Sequence, residues 1–179
     1  RAGTAVDCIT LAGNGEPTLH PDLEDVILGV KALRDRYFPH AKVGILSDGT
    51  QAHRPKVFRA LTLLDARYMK LDAGDEETWR LIDKPLGDAD WPRLLATLKQ
   101  LPNIVLQSMF VQGRCDNTSE DQVNRWIDVA GDIKPLSVQV YTIDRAPADA
   151  GIMKVPLARL EQIAASLTSR TGIPAEVYD

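Results

Sequence analysis

The apolar residues of this chain switch repeatedly between short continuous runs and helical spacing, and this alternation constrains the fold more than any other feature. Continuous runs predict strands at residues 6–11, 43–47, 68–72, 104–109, 138–143 and 175–178. Between them, apolar residues recur at the spacing that buries one helical face: Leu23, Val26, Ile27, Val30 and Leu33; Val57, Phe58, Leu61 and Leu64; Leu94, Leu95, Leu98 and Leu101; Val123, Trp126, Ile127 and Ala130; Leu157, Leu160, Ile163, Ala164 and Leu167. Strands that alternate with helices run parallel, because a parallel pair needs a long crossover and a helix supplies it. The fold class is therefore α/β. At 179 residues and 44% hydrophobic content the chain can bury one sizeable core, and no linker, repeat or biased segment divides it. We expect a single domain over residues 1–179.

Two architectures satisfy this pattern, an open doubly wound sheet and a barrel-like one, and the polar residues after the strands separate them. Glu16 follows the first strand, Ser47 and Asp48 the second, Asp72 and Asp75 the third. Gln107 and Ser108 sit in the fourth, and Thr142 and Asp144 close the fifth. A doubly wound sheet concentrates its site at one switch point, whereas a barrel draws on the carboxyl ends of many strands. The pattern favours a partial, TIM-like (β/α)6 barrel with an open side.

The loop after the first strand reads Gly13, Asn14, Gly15, Glu16, Pro17. It is poorly built to cradle phosphate, since Glu16 repels an anion and Pro17 has no N–H to donate. Glycines also let carbonyl oxygens approach a ligand, and carbonyls beside a carboxylate suit a cation such as an amino-acid ammonium. The alternative is an ordinary tight turn carrying a solvated acid.

Charge and cysteine content narrow the setting. A net charge of −4 argues against a broad nucleic-acid or membrane-binding surface. Cys8 and Cys115 stand too far apart for a disulfide framework and read as reduced thiols in the cytoplasm, Cys8 as a buried apolar side chain and Cys115 as a surface-loop thiol. His20, His40 and His53 lack metal-ligand spacing, and the three tryptophans fit helix faces.

With these features in place, the chain resembles the radical S-adenosylmethionine (radical SAM) enzymes over nearly its whole length. Gly13 to Pro17 look like that family's Gly-Gly-Glu-Pro motif, with Asn14 where many members carry glycine, a change suited to a turn because Asn visits left-handed backbone. Ser47, Asp48, Gly49 and Thr50 resemble its Ser-Asn-Gly-Thr strand ending, with Asp for Asn. Lys70 to Ala73, and the run from Gln107 to Gly113 with Asp116 and Asn117, are similar to a branch that includes wyosine-type tRNA-modifying enzymes. The resemblance implies S-adenosylmethionine (SAM) as cofactor, its ammonium held by Gly13, Asn14, Gly15, Glu16 and Pro17. It also implies that Ser47, Asp72, Gln107 and Thr142 meet its ribose and carboxylate. It further implies a [4Fe–4S] cluster, reductive cleavage of SAM to a 5′-deoxyadenosyl radical, an electron donor such as flavodoxin or ferredoxin, and a substrate left open, RNA included. The family's Cys-x-x-x-Cys-x-x-Cys loop is not in this sequence, so the expectation is a fragment whose cluster loop and first βα unit precede Arg1, inactive alone. A cluster-free module binding a small ligand on the same scaffold is the alternative.

Overall fold

The computed structural model describes residues 5–145, 147 and 149–179. In chain order the elements are β1 (Cys8–Leu11), α1 (Leu23–Tyr37), β2 (Lys42–Ser47), α2 (Pro55–Thr62), β3 (Ala66–Lys70), α3 (Glu76–Asp83), α4 (Trp91–Leu98), β4 (Ile104–Met109), β5 (Val111–Gly113), α5 (Glu120–Ile133), β6 (Ser137–Tyr141), β7 (Ile152–Lys154), α6 (Leu157–Thr171) and β8 (Ala175–Tyr178). The helices begin where capping chemistry allows. Asp75 accepts the Thr78 N–H at 2.9 Å, Asp90 the Arg93 N–H at 2.7 Å and Ser119 the Gln122 N–H at 3.3 Å. Proline at the start of α2 and of α4 gives up no needed donor.

Six strands form one parallel sheet in the order β1-β2-β3-β4-β6-β8. That order follows the chain. Parallel crossovers are right-handed, so strands added in sequence keep every helix on one face, the arrangement of a barrel wall. The expected α/β partial barrel is borne out. Burial shows the two faces: Ile104, Leu106 and Ser108 of β4 and Val138 and Val140 of β6 are buried under the helices. Their neighbours Val105, Gln107, Met109, Gln139 and Tyr141 are half-buried on the other face.

Four details differ from the sequence reading. The third and fifth predicted strands end sooner, which leaves Asp72 and Thr142 in the loops beyond β3 and β6. Helix α3 is marked in the sequence only by the helical spacing around Trp79, without bounds, and the small antiparallel ribbon of β5 with β7 carries too few apolar residues to show a period. On α1 only Leu23 and Ile27 are buried, while Val26 and Leu33 are exposed. Cys115 is buried rather than a surface thiol, with Sγ 3.8 Å from the Leu81 carbonyl, and Cys8 is only half-buried, on the edge strand.

Candidate functional site

Glu16 is the hub of the loop after β1. Its Oε1 accepts the Thr18 N–H at 2.9 Å, the Thr18 hydroxyl at 2.5 Å and the Ser47 hydroxyl at 2.8 Å, and Oε2 accepts the Asp48 N–H at 2.8 Å. The carboxylate thus ties the turn at Pro17 to the end of β2, and Oε2 retains accepting capacity. The Asp48 carboxyl lies close by; burial, and then the Glu16 charge, push it above the usual carboxylate range against the Thr50 N–H it accepts. Two acids therefore share this end of the sheet.

The glycines beside Glu16 are not demanded by backbone conformation. Neither Gly13 nor Gly15 has a positive φ, and nor does Asn14, so the left-handed turn expected there is not formed. A Cβ on Gly15 would meet nothing within 4 Å, and one on Gly13 only its own loop at 3.6 Å. The chain's own packing leaves that space open. It belongs to a cavity of about 460 Å³ whose lining includes Gly13, Gly15, Glu16, Asp48, Lys70, Gln107 and Tyr141.

The floor of the cavity is an ion cluster. Lys70 Nζ lies 2.9 Å from Asp72 Oδ2 and 2.7 Å from Asp83 Oδ1, and the two carboxylates hold the ammonium firmly protonated against its burial. Asp72 is fully buried; desolvation pushes its carboxyl up, with the Lys70 ammonium opposing. Its Oδ1 accepts the Met109 N–H at 2.9 Å. Asn117 clasps the same corner, donating to the carbonyls of Asp72 at 2.7 Å and Met109 at 2.8 Å while accepting the Val111 N–H at 2.8 Å. Tyr141 lies near this cluster, and burial followed by the Asp72 charge raises its phenol.

The sequence-derived site residues separate into two groups. Gly13, Asn14, Gly15, Glu16, Pro17, Ser47 and Gln107 line one cavity. Asp72 lies beneath it, behind Lys70. Thr142 lines the neighbouring cavity that shares Gln107 and Tyr141, its hydroxyl donating to the Phe110 carbonyl at 2.8 Å and accepting the Val155 N–H at 3.0 Å. Gln139 and Tyr178, which sequence reasoning missed, face the same open side. Alternation along β6 from Tyr141 points to Gln139, whereas Tyr178 is brought in only by register with Tyr141 across the sheet.

Gln107 and Tyr141 also line a second cavity, of about 350 Å³, with Gln139, Asp144 and Tyr178. A continuous open side therefore runs from the β1 loop to β8. Among the described residues no three His, Cys, Asp or Glu side chains are grouped to hold a metal ion, and no helix is long and apolar enough to cross a membrane.

No family model matches the chain. Among curated proteins it is 31% identical over 147 residues to a UPF0026 protein of Helicobacter pylori, covering 79% of this chain and 46% of that one. It is 29% identical over 140 residues to UPF0026 protein slr1464 of Synechocystis, covering 75% and 49%. A protein named GTPase Obg from Brachyspira hyodysenteriae is 29% identical over 143 residues, 78% of this chain and 20% of that protein. The chain thus spans half or less of the curated relatives it matches. Solved structures with the same fold include a domain of the pyruvate-formate lyase-activating enzyme from Bacteroides vulgatus, with a TM-score of 0.70 at 12% identity over 97% of this chain and 99% of that one. They also include Streptococcus suis SuiB bound to S-adenosylmethionine, with 0.71 at 14% over 96% and 39%. A third is a radical SAM methyltransferase from Sphaerobacter thermophilus, with 0.63 at 15% over 95% and 50%. The resemblance read from the sequence is borne out at the level of fold: the chain has the partial-barrel fold of the radical SAM enzymes.

Proposed function

We propose that the cavity at Glu16 binds SAM, with the methionyl ammonium beside the Glu16 carboxylate and the carbonyls of the Gly13–Gly15 loop. The observation that carries this reading is the open space over Gly13 and Gly15 next to a carboxylate already fixed by its own chain. An acid held by four donors is preorganised and needs no reordering when a cation arrives. Asp48 adds negative charge, which suits a ligand carrying both an ammonium and a sulfonium. Gln107 can donate to or accept from a ribose or carboxylate. Asp72, behind Lys70, acts on this site by holding the Lys70 side chain in place.

In company with a [4Fe–4S] cluster, bound SAM supplies hydrogen-atom abstraction through reductive cleavage of a sulfonium bond. The residues of this chain do not fit the cluster, because Cys8 and Cys115 cannot provide three thiolates. The part played by this chain is to bind and orient SAM.

Titrating SAM into the nitrogen-15-labelled chain tests the assignment. The backbone N–H signals of Gly13, Gly15 and Asp48 should shift together and saturate. Shifts confined to other regions would overturn the reading and favour a module for a different small ligand.

A further inference from the structure

We infer that the second cavity, between β4, β6 and β8, receives an amine-bearing group of a substrate; the first cavity's reading as the SAM groove enters only in making that group a substrate. The register sets Gln107 beside Gln139, Gln139 beside Glu176, and Tyr141 beside Tyr178, so these polar side chains form a band across three strands. Along it Gln107 Nε2 donates to Gln139 Oε1 at 2.8 Å, Gln139 Nε2 to the Tyr178 hydroxyl at 3.5 Å, and that hydroxyl to Glu176 Oε2 at 2.6 Å. Gln107, Gln139 and Tyr178 each spend one donor within the band, the two amides keeping a second N–H, while Glu176 only accepts. What is left toward the cavity is rich in acceptors, with the carboxylates of Asp144 and Asp179 at its rim.

Lysine and arginine are absent from the described lining, and Lys154, outside it, pairs with the Asp179 carboxylate at 2.8 Å, so the negative charge of the site rests on Asp144 and on Glu176 behind the Tyr178 hydroxyl. Such a site repels phosphates and carboxylates and attracts a cation, which gains further from the aromatic surface of Tyr141 and Tyr178. Because Gln107 and Tyr141 line both cavities, a group held here lies directly beside whatever occupies the first. Two ligands meeting at a shared wall is the arrangement that a reaction between them needs.

The probes are diaminopentane and glutarate, a dication and a dianion of similar reach, titrated separately into the nitrogen-15-labelled chain at neutral pH and constant ionic strength. The diamine should shift the side-chain amide signals of Gln107 and Gln139 saturably, and glutarate should not. Gln112, whose amide donates to Thr118 away from the cavity, should stay still in both. Asp144 is exposed, so Asp144→Asn should fold normally and weaken the diamine about two- to fivefold, the usual scale for a solvated ion pair. Tyr178→Leu should weaken it as well. Equal responses to glutarate, or unchanged diamine affinity in both variants, would overturn the inference. If SAM leaves Gly13 and Gly15 unmoved while the diamine response persists, the SAM reading fails and the amine site stands. If SAM binds and the diamine does not, the reverse holds.

Discussion

The Ser47 hydroxyl donates to Glu16 Oε1 at 2.8 Å and accepts the Gly49 N–H at 3.0 Å, so one buried oxygen fastens the β1 loop to the end of β2. The glycine-rich loop is therefore part of the sheet's rigid edge, and the position of its carboxylate depends on a residue 31 positions away.

Ser47→Ala removes both bonds and leaves the Gly49 N–H without this partner. A loss of about 1–2 kcal/mol in unfolding free energy is expected. Urea denaturation checks it, with the midpoint falling at unchanged slope. A midpoint equal to the parent's would mean that the tie contributes nothing.

Glu16 helps to hold the Asp48 carboxyl high, after burial, so Glu16→Gln should lower the Asp48 pKa. Carbon-13 titration of the carboxyl reads this directly. The sign for stability follows from linkage: Asp48 keeps its proton longer in the folded chain, so its contribution falls as pH rises from the ordinary carboxylate range through the raised folded value. The variant should flatten that fall.

Asp72→Asn tests the buried cluster. Burial makes the folded chain hold the Asp72 proton more tightly than the unfolded chain does, so the parent loses stability from this group as pH rises from acid toward neutral. Asparagine does not titrate. Whatever the substitution costs in acid should therefore shrink at neutral pH, as measured by thermal melts across that range. A cost that grows with pH would show that the Lys70 ion pair outweighs burial.

Gly74 carries a packing constraint of a different kind. A Cβ there would overlap the backbone of Arg125 and Trp126 at α5, where nothing flexible can yield. Gly74→Ala is expected to cost roughly 2–3 kcal/mol or more, seen as a lowered melting temperature. Gly15→Ala, with open space around its Cβ, should leave the melting temperature unchanged.

Hydrophobic period was enough to read the parallel α/β order, because each buried strand and each amphipathic helix repeats its signal over several residues. Period fades in α3, where Trp79 is the main buried apolar residue, and in β5 and β7, which have three residues each. The loop at Glu16 was legible as a glycine-rich turn after a strand, but its tie to Ser47 and Asp48 was not, since those partners lie 31 and 32 positions away. The depth of Asp72 was not, since a carboxylate after a strand looks the same whether it faces a groove or sits behind a lysine. The three-dimensional neighbours Asp83 and Met109 decide that. Gln139 and Tyr178 were missed for a similar reason, because their importance comes from lateral register with Gln107 and Tyr141 and not from any local motif.

Calorimetric titration of SAM into the chain and three variants separates a ligand-binding Glu16 from a purely structural one. The parent should bind weakly, since a few hydrogen bonds worth about 0.5–1.5 kcal/mol each make up the interaction. Glu16→Ala and Glu16→Gln should each lose roughly ten- to a hundredfold in affinity, the value of a charge-assisted bond. Ser47→Ala, which loosens the loop but keeps the charge, should lose less. Parent-like SAM binding by Glu16→Gln, alongside a large loss in Ser47→Ala, would contradict the claim and leave Glu16 as a structural tie alone.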